Sequence, residues 1–187
     1  MKERIADRHL PKDGLSELRQ AISSKLKWAE SFQTLMPYEK ASIDSTIQKE
    51  FDELLFSALY VHLPQGRLSG IQSLKLSQLP SMMQKGYTMS TTFKTSAKFK
   101  LQPISLDNTV ALLLNIYTSV FRPLRSNGCC DNPTDPLFIR PNGSQEIDIG
   151  RHVTRYFKRT LGIHITTTRI RSLMETTVNK LHQEGII

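Results

Sequence analysis

Two arginines in short, loop-preceded stretches are the side chains here best suited to act on a phosphate. Arg67 lies in Gly66-Arg67-Leu-Ser-Gly70-Ile-Gln-Ser-Leu-Lys-Leu-Ser, and Arg171 in Ile165-Thr-Thr-Thr168-Arg169-Ile-Arg171-Ser-Leu, about a hundred residues later. Breaking a phosphodiester without a metal needs cations held against its non-bridging oxygens as charge builds in the transition state. A planar guanidinium matches those oxygens and stays charged at any relevant pH. Each arginine opens a helix or sits early in one, so the two could converge on one phosphate, with helix N-terminal N–H groups as further donors.

Other cations gather nearby in sequence. Lys94, Lys98 and Lys100 fall in one short segment, and Arg151, Arg155, Lys158, Arg159, Arg169 and Arg171 crowd the C-terminal third. With a formal charge of +8 and a pI near 9.6, they favour a polyanionic partner. The same clusters also suit a solvated hairpin and a solvated helix face.

The elements that must position these groups follow from periodicity. Residues 1–14 read as a loose lead-in. Ser16 can cap a helix with Leu18, Ile22, Leu26, Ala29 and Phe32 on its apolar side, ending before Pro37. A second helix is expected over 42–63, carrying Ile43, Ile47, Phe51, Leu54, Leu55, Ala58 and Leu59, and Pro64 stops it. A shorter helix follows Arg67, with Leu68, Ile71 and Leu74 inward and Pro80 as its boundary. The period then changes to two. Residues 87–93 and 99–104 read as antiparallel strands joined by a turn over 94–98. Asp107 caps an apolar helix through Val110, Leu113, Leu114, Tyr117, Val120 and Phe121. Residues 122–136 carry turn formers and read as a loop. Asp148 caps a helix through Val153, Tyr156, Phe157 and Leu161, with Gly162 at its end. A last helix begins near Thr166 or Thr167 and turns Ile170, Leu173, Met174, Val178 and Leu181 inward. The expected class is mainly α with a small antiparallel β-hairpin, an α+β fold. Residues 1–38 are expected to be a linker-like lead-in and helix, and 39–187 the body.

The chain is expected to be a water-soluble, intracellular protein. It has no apolar run long enough for a bilayer, no signal-like N-terminus, and only the adjacent Cys129 and Cys130, which suit neither a disulfide nor zinc spacing. No metal, cofactor or membrane is expected.

The two arginine stretches, and the order helices, hairpin, helices, resemble the catalytic domain of tyrosine recombinases, the phage-integrase family that cuts and rejoins DNA. The resemblance covers roughly residues 40–187. It implies that Arg67 is the first catalytic arginine and Arg171 the second. Pro64 resembles the proline-rich approach of eukaryotic mobile-element members. Lys94, with Lys98 as the alternative, corresponds to the hairpin lysine that donates a proton to the leaving oxygen. The sequence departs from the family at two places. Gly70 stands where an acidic residue braces the first arginine, and Thr168 stands where a histidine is usual. A threonine hydroxyl can hydrogen-bond a phosphate oxygen but is no acid or base near neutral pH. The nucleophilic tyrosine should follow Arg171, yet Tyr38, Tyr60, Tyr87, Tyr117 and Tyr156 all precede it.

The expectation is thus a domain that binds double-stranded DNA and is inactive as given, either cut before its final helices or lacking catalysis altogether. DNA contacts fall to Lys98, Lys100, Arg151, Arg155, Lys158 and Arg169; self-association on DNA stays open. A eukaryotic host would place it in the nucleus, any other in the cytoplasm. The alternatives are a non-catalytic, domesticated DNA-binding protein on the same scaffold, and a basic helical module for acidic protein or RNA.

Overall fold

Every residue from 51 to 61 is buried, Asp52 and Glu53 among them, so the helix carrying them is the axis of the structure. The computed structural model describes residues 14–63, 68–85, 105–126 and 131–183. In chain order the helices are α1 (Gly14–Ser23), α2 (Leu26–Glu30), α3 (Pro37–Ala41), α4 (Ser45–His62), α5 (Leu68–Gln72), α6 (Leu79–Lys85), α7 (Asn108–Ile116), α8 (Arg122–Ser126), α9 (Ile149–Leu161) and α10 (Thr167–Gln183). Short 3-10 turns follow α2 and precede α6, and a π-helical turn (Tyr117–Phe121) joins α7 to α8. Among the described residues there is no strand, only two isolated bridges, Lys75 with Pro136 and Ile139 with Gln145. No described helix is long and apolar enough to cross a membrane.

Asp44 starts α4 by accepting a hydrogen bond from the Ile47 N–H at 2.8 Å. The middle of the helix is apolar nearly all round, and it is covered on several sides by α1, α7 and α9. Phe51 stacks on Phe121 with centroids 4.0 Å apart, and Phe32 meets Phe121 edge-on at 5.1 Å. Burying each such ring contributes about 1.5–3 kcal/mol. Leu18, Ile22, Ala29 and Phe32 belong to the same core, and the Tyr156 hydroxyl donates to the Ala21 carbonyl at 2.8 Å. The segment before residue 39 therefore shares the core of the segment after it.

Local caps match the sequence at Asp107, which accepts from the Thr109 N–H at 2.8 Å, and at Gly162, whose φ of 68° is the left-handed end expected there. Asp148 does stand at the start of α9, but its carboxylate makes no cap bond and turns to arginines instead. Three expectations need correction. The first helix is broken, because the Ser24 hydroxyl donates to the Ala21 carbonyl and the chain turns; Ser16 lies inside α1, which begins at Gly14. Pro80 lies in the first turn of α6, where its missing N–H breaks no helical bond. Residues 122–126, expected in a loop, are helical. Their turn-forming neighbours are outweighed by tertiary bonds from Arg122 and Arg125, both buried. Pro123 lacks the N–H that would bond the Ser119 carbonyl, and the π turn falls just before it. The expected strands over 87–104 lie outside the described residues, as do the side chains of Leu68, Val178 and Leu181.

Candidate polyanion-binding face and cleft

α9 carries its functional groups on one side and its core contacts on the other. Val153, Tyr156 and Phe157 are buried, while Arg151, Arg155 and Lys158 are exposed at spacings of four and three, so they share one face. Arg159 belongs to the same helix but is held down onto α4. It lies 3.4 Å from Glu50 and 3.0 Å from Glu53, the latter an ion pair without hydrogen-bond alignment.

Beside this face is a cleft of about 400 Å³. α4 lines one wall with Ser45, Lys49 and Asp52, which share a helix face. α9 lines the other with Arg151, His152 and Arg155. Arg140, Pro141, Glu146 and Asp148, from the irregular segment before α9, close the end. That segment is tied down at several points. Gln145 donates to the Gln72 carbonyl at 2.6 Å, Gln72 donates to the Ile147 carbonyl, and the Ile139 N–H donates to the Tyr117 hydroxyl at 3.0 Å.

The floor of the cleft is a buried polar network. Asp52 accepts from Arg125 Nη1 at 2.9 Å, and Arg125 also donates to the Ile139 carbonyl at 3.0 Å. His152 Nε2 lies 3.3 Å from Glu146 Oε2. Glu146 Oε1 accepts from the Asp148 N–H at 2.7 Å and from Arg140 Nε at 3.4 Å. Arg140 Nη2 reaches Asp148 at 3.0 Å. Burial pushes Asp52 up to about 6 against the pull of the Arg125 guanidinium. Burial also works against the charge of Glu146. There the bond from His152, the Asp148 N–H, and the charges of His152 and Arg140 outweigh it and hold the carboxyl at about 2. Burial likewise pushes the Tyr117 hydroxyl up to about 12.

Asp52, Glu146 and His152 bring one ligand atom each within 4.8 Å of one another. Their donor set already has cations: Arg125 sits on Asp52, Arg140 on Glu146, and the histidine faces Glu146. A metal there would have to displace those bonds beside a buried guanidinium, so the network reads as a structural and positioning device.

The sequence-derived site residues fall into three sets. Arg151, Arg155 and Lys158 come together on α9. Thr168 and Arg171 share the start of α10, Thr168 exposed and Arg171 half-buried, three residues apart and so on one side of the helix. The neighbouring Arg169 is exposed and engaged, and its N–H donates to the Thr166 hydroxyl at 3.3 Å, which caps the helix. Arg67, Lys94, Lys98 and Lys100 lie outside the described residues. Lys49, Asp52, Arg125, Arg140, Glu146 and His152 were not singled out from sequence. The available signal was Asp52 itself, a carboxylate inside the apolar run of α4, which must have a buried partner.

No family model matches this chain, and neither a curated protein nor a solved structure matches it.

Proposed function

We propose that this domain binds double-stranded DNA through the phosphate backbone, on a scaffold similar to the catalytic domain of tyrosine recombinases, without completing strand cleavage itself. The observation that carries the reading is the exposed Arg151–Arg155–Lys158 face of α9, beside a cleft whose rim adds Lys49 and Arg140. Cations at this spacing follow a run of phosphates and read no base edges, so the expected binding has weak sequence preference. The Arg171 segment at the start of α10 would hold a phosphate by its guanidinium, its neighbour Thr168 adding a hydroxyl but no acid or base. Gly70 and Thr168 both favour binding over chemistry.

The test is the affinity of the 187-residue chain for a random-sequence duplex at a series of salt concentrations. Neutralising about five phosphates gives a slope of log K against log salt of about −4 to −5. A slope near zero overturns the reading, and preference for an acidic protein or RNA over the duplex would make this a helical interaction module instead.

A further inference from the structure

The cleft between α4 and α9 holds more cations than its own carboxylates can neutralise. Three carboxylates line it, Asp52, Glu146 and Asp148. Asp52 is matched by Arg125 behind the floor at 2.9 Å, Glu146 faces Arg140 at 3.4 Å, and Asp148 takes Arg140 at 3.0 Å and Arg151 at 3.9 Å. Lys49 and Arg155 stand on opposite walls, and neither has an ion-pair partner among the described residues. Counting Arg125 and leaving aside His152, which faces Glu146, five lysine and arginine side chains meet three carboxylates, and the excess of two is these two side chains.

The geometry points to a seat for one phosphate group at the mouth of this cleft, held between Lys49 of α4 and Arg155 of α9, with Arg140 at its closed end. Three separate segments supply the cations, so they hold their spacing only in the folded chain. Arg140 is kept in place by two carboxylates, one of them buried, and a fixed guanidinium spends less side-chain entropy on capturing an anion than a free one. The Ser45 hydroxyl, on the same face as Lys49, supplies a neutral donor. The cleft volume, about 400 Å³, admits a phosphodiester with its flanking sugars at the opening. Neither Thr168 nor Arg171 lines this cleft. Its phosphate would be one the domain holds on to, setting where the duplex lies. This assignment rests on the DNA-binding reading for the source of the phosphate, a backbone diester; a free phosphate or nucleotide offers the same chemistry.

The experiment compares the full chain with the double variant Lys49→Gln/Arg155→Gln and with a charge-matched control, Lys27→Gln/Lys85→Gln, whose residues are exposed and line no part of the cleft. The expected result is a salt slope shallower by about one for the cleft variant, which loses one phosphate contact, and a smaller change for the control. Duplex binding with equal slopes in both variants overturns the seat and leaves the DNA reading standing. If the wild-type chain binds no duplex, amide shifts on titration with inorganic phosphate decide. Saturable shifts at residues 45–52, 140–141 and 151–155, absent in the cleft variant, keep the seat for a free phosphate. No shift there ends it. Circular dichroism of both variants confirms that the comparison is between folded proteins.

Discussion

Arg125 and Asp52 meet at 2.9 Å in the core, with side chains 1% and 5% exposed, and lie 73 residues apart in sequence. The pair clamps α8 to α4. Arg125 extends the clamp by donating to the Ile139 carbonyl and, at 3.3 Å, to the Gln48 carbonyl, so one guanidinium joins two helices and the segment that closes the cleft. Its charge is also the reason a carboxylate can sit in the middle of an apolar helix run. A buried pair of this kind adds little net stability, but losing one member leaves a bare charge in a low dielectric.

Arg125→Met should therefore destabilise the fold by about 3–5 kcal/mol, read from urea denaturation midpoints. Adding Asp52→Leu to that variant should recover most of the loss, because no buried charge is left behind. An Arg125→Met protein as stable as the wild type would show that the clamp is dispensable.

Acid should act through Glu146. Its folded value of about 2 lies below the ordinary 4.5, so its contribution is fully present above pH 4.5 and is lost as the pH falls toward 2. Wild type should exceed Glu146→Gln in stability above pH 4.5, and the gap should close on acidification. Asp52 has the opposite sign. Raised from 3.8 to about 6, it contributes stability below 3.8 that is lost as pH rises through 6, and the Glu146→Gln profile should keep that decline. A wild-type-to-variant gap independent of pH would remove the role given to the Glu146 carboxylate.

Gly162→Ala tests the end of α9. A Cβ there would meet nothing within 4 Å, so the cost is the left-handed backbone alone, about 1 kcal/mol. Gly162→Asn should lose less, since asparagine tolerates that region better. Thermal melts of the two variants give the order, and a larger loss for asparagine contradicts the backbone explanation.

Incubating the 187-residue chain with a nicked duplex should yield no covalent phosphotyrosyl adduct on a denaturing gel. The Tyr117 hydroxyl is buried on the Ile139 N–H and that of Tyr156 on the Ala21 carbonyl, and neither faces solvent as a nucleophile must. An adduct mapping to any of the five tyrosines would place an active site in this chain.

How much of this was readable before the fold depends on how local each cause is. The apolar runs of α4, α7 and α9, the cap at Asp107 and the left-handed end at Gly162 depend on residues within a turn or two, and periodicity exposes them. The cationic row of α9 is equally local, since four- and three-residue spacing on a helix leaves Arg151, Arg155 and Lys158 no choice but to share a face. The continuation of the helix through 122–126 is different. Pro123 and its neighbours argue for a loop, and only the remote partners of Arg122 and Arg125 reverse that balance. The cleft is wholly a product of the fold. Asp52 announced that some cation must reach it, but Gln48, Ile139 and Arg125 are joined by packing, and Lys49 comes to face Arg155 only because α4 lies against α9. A residue's need for a partner is written locally; which partner answers it is settled by how the helices pack.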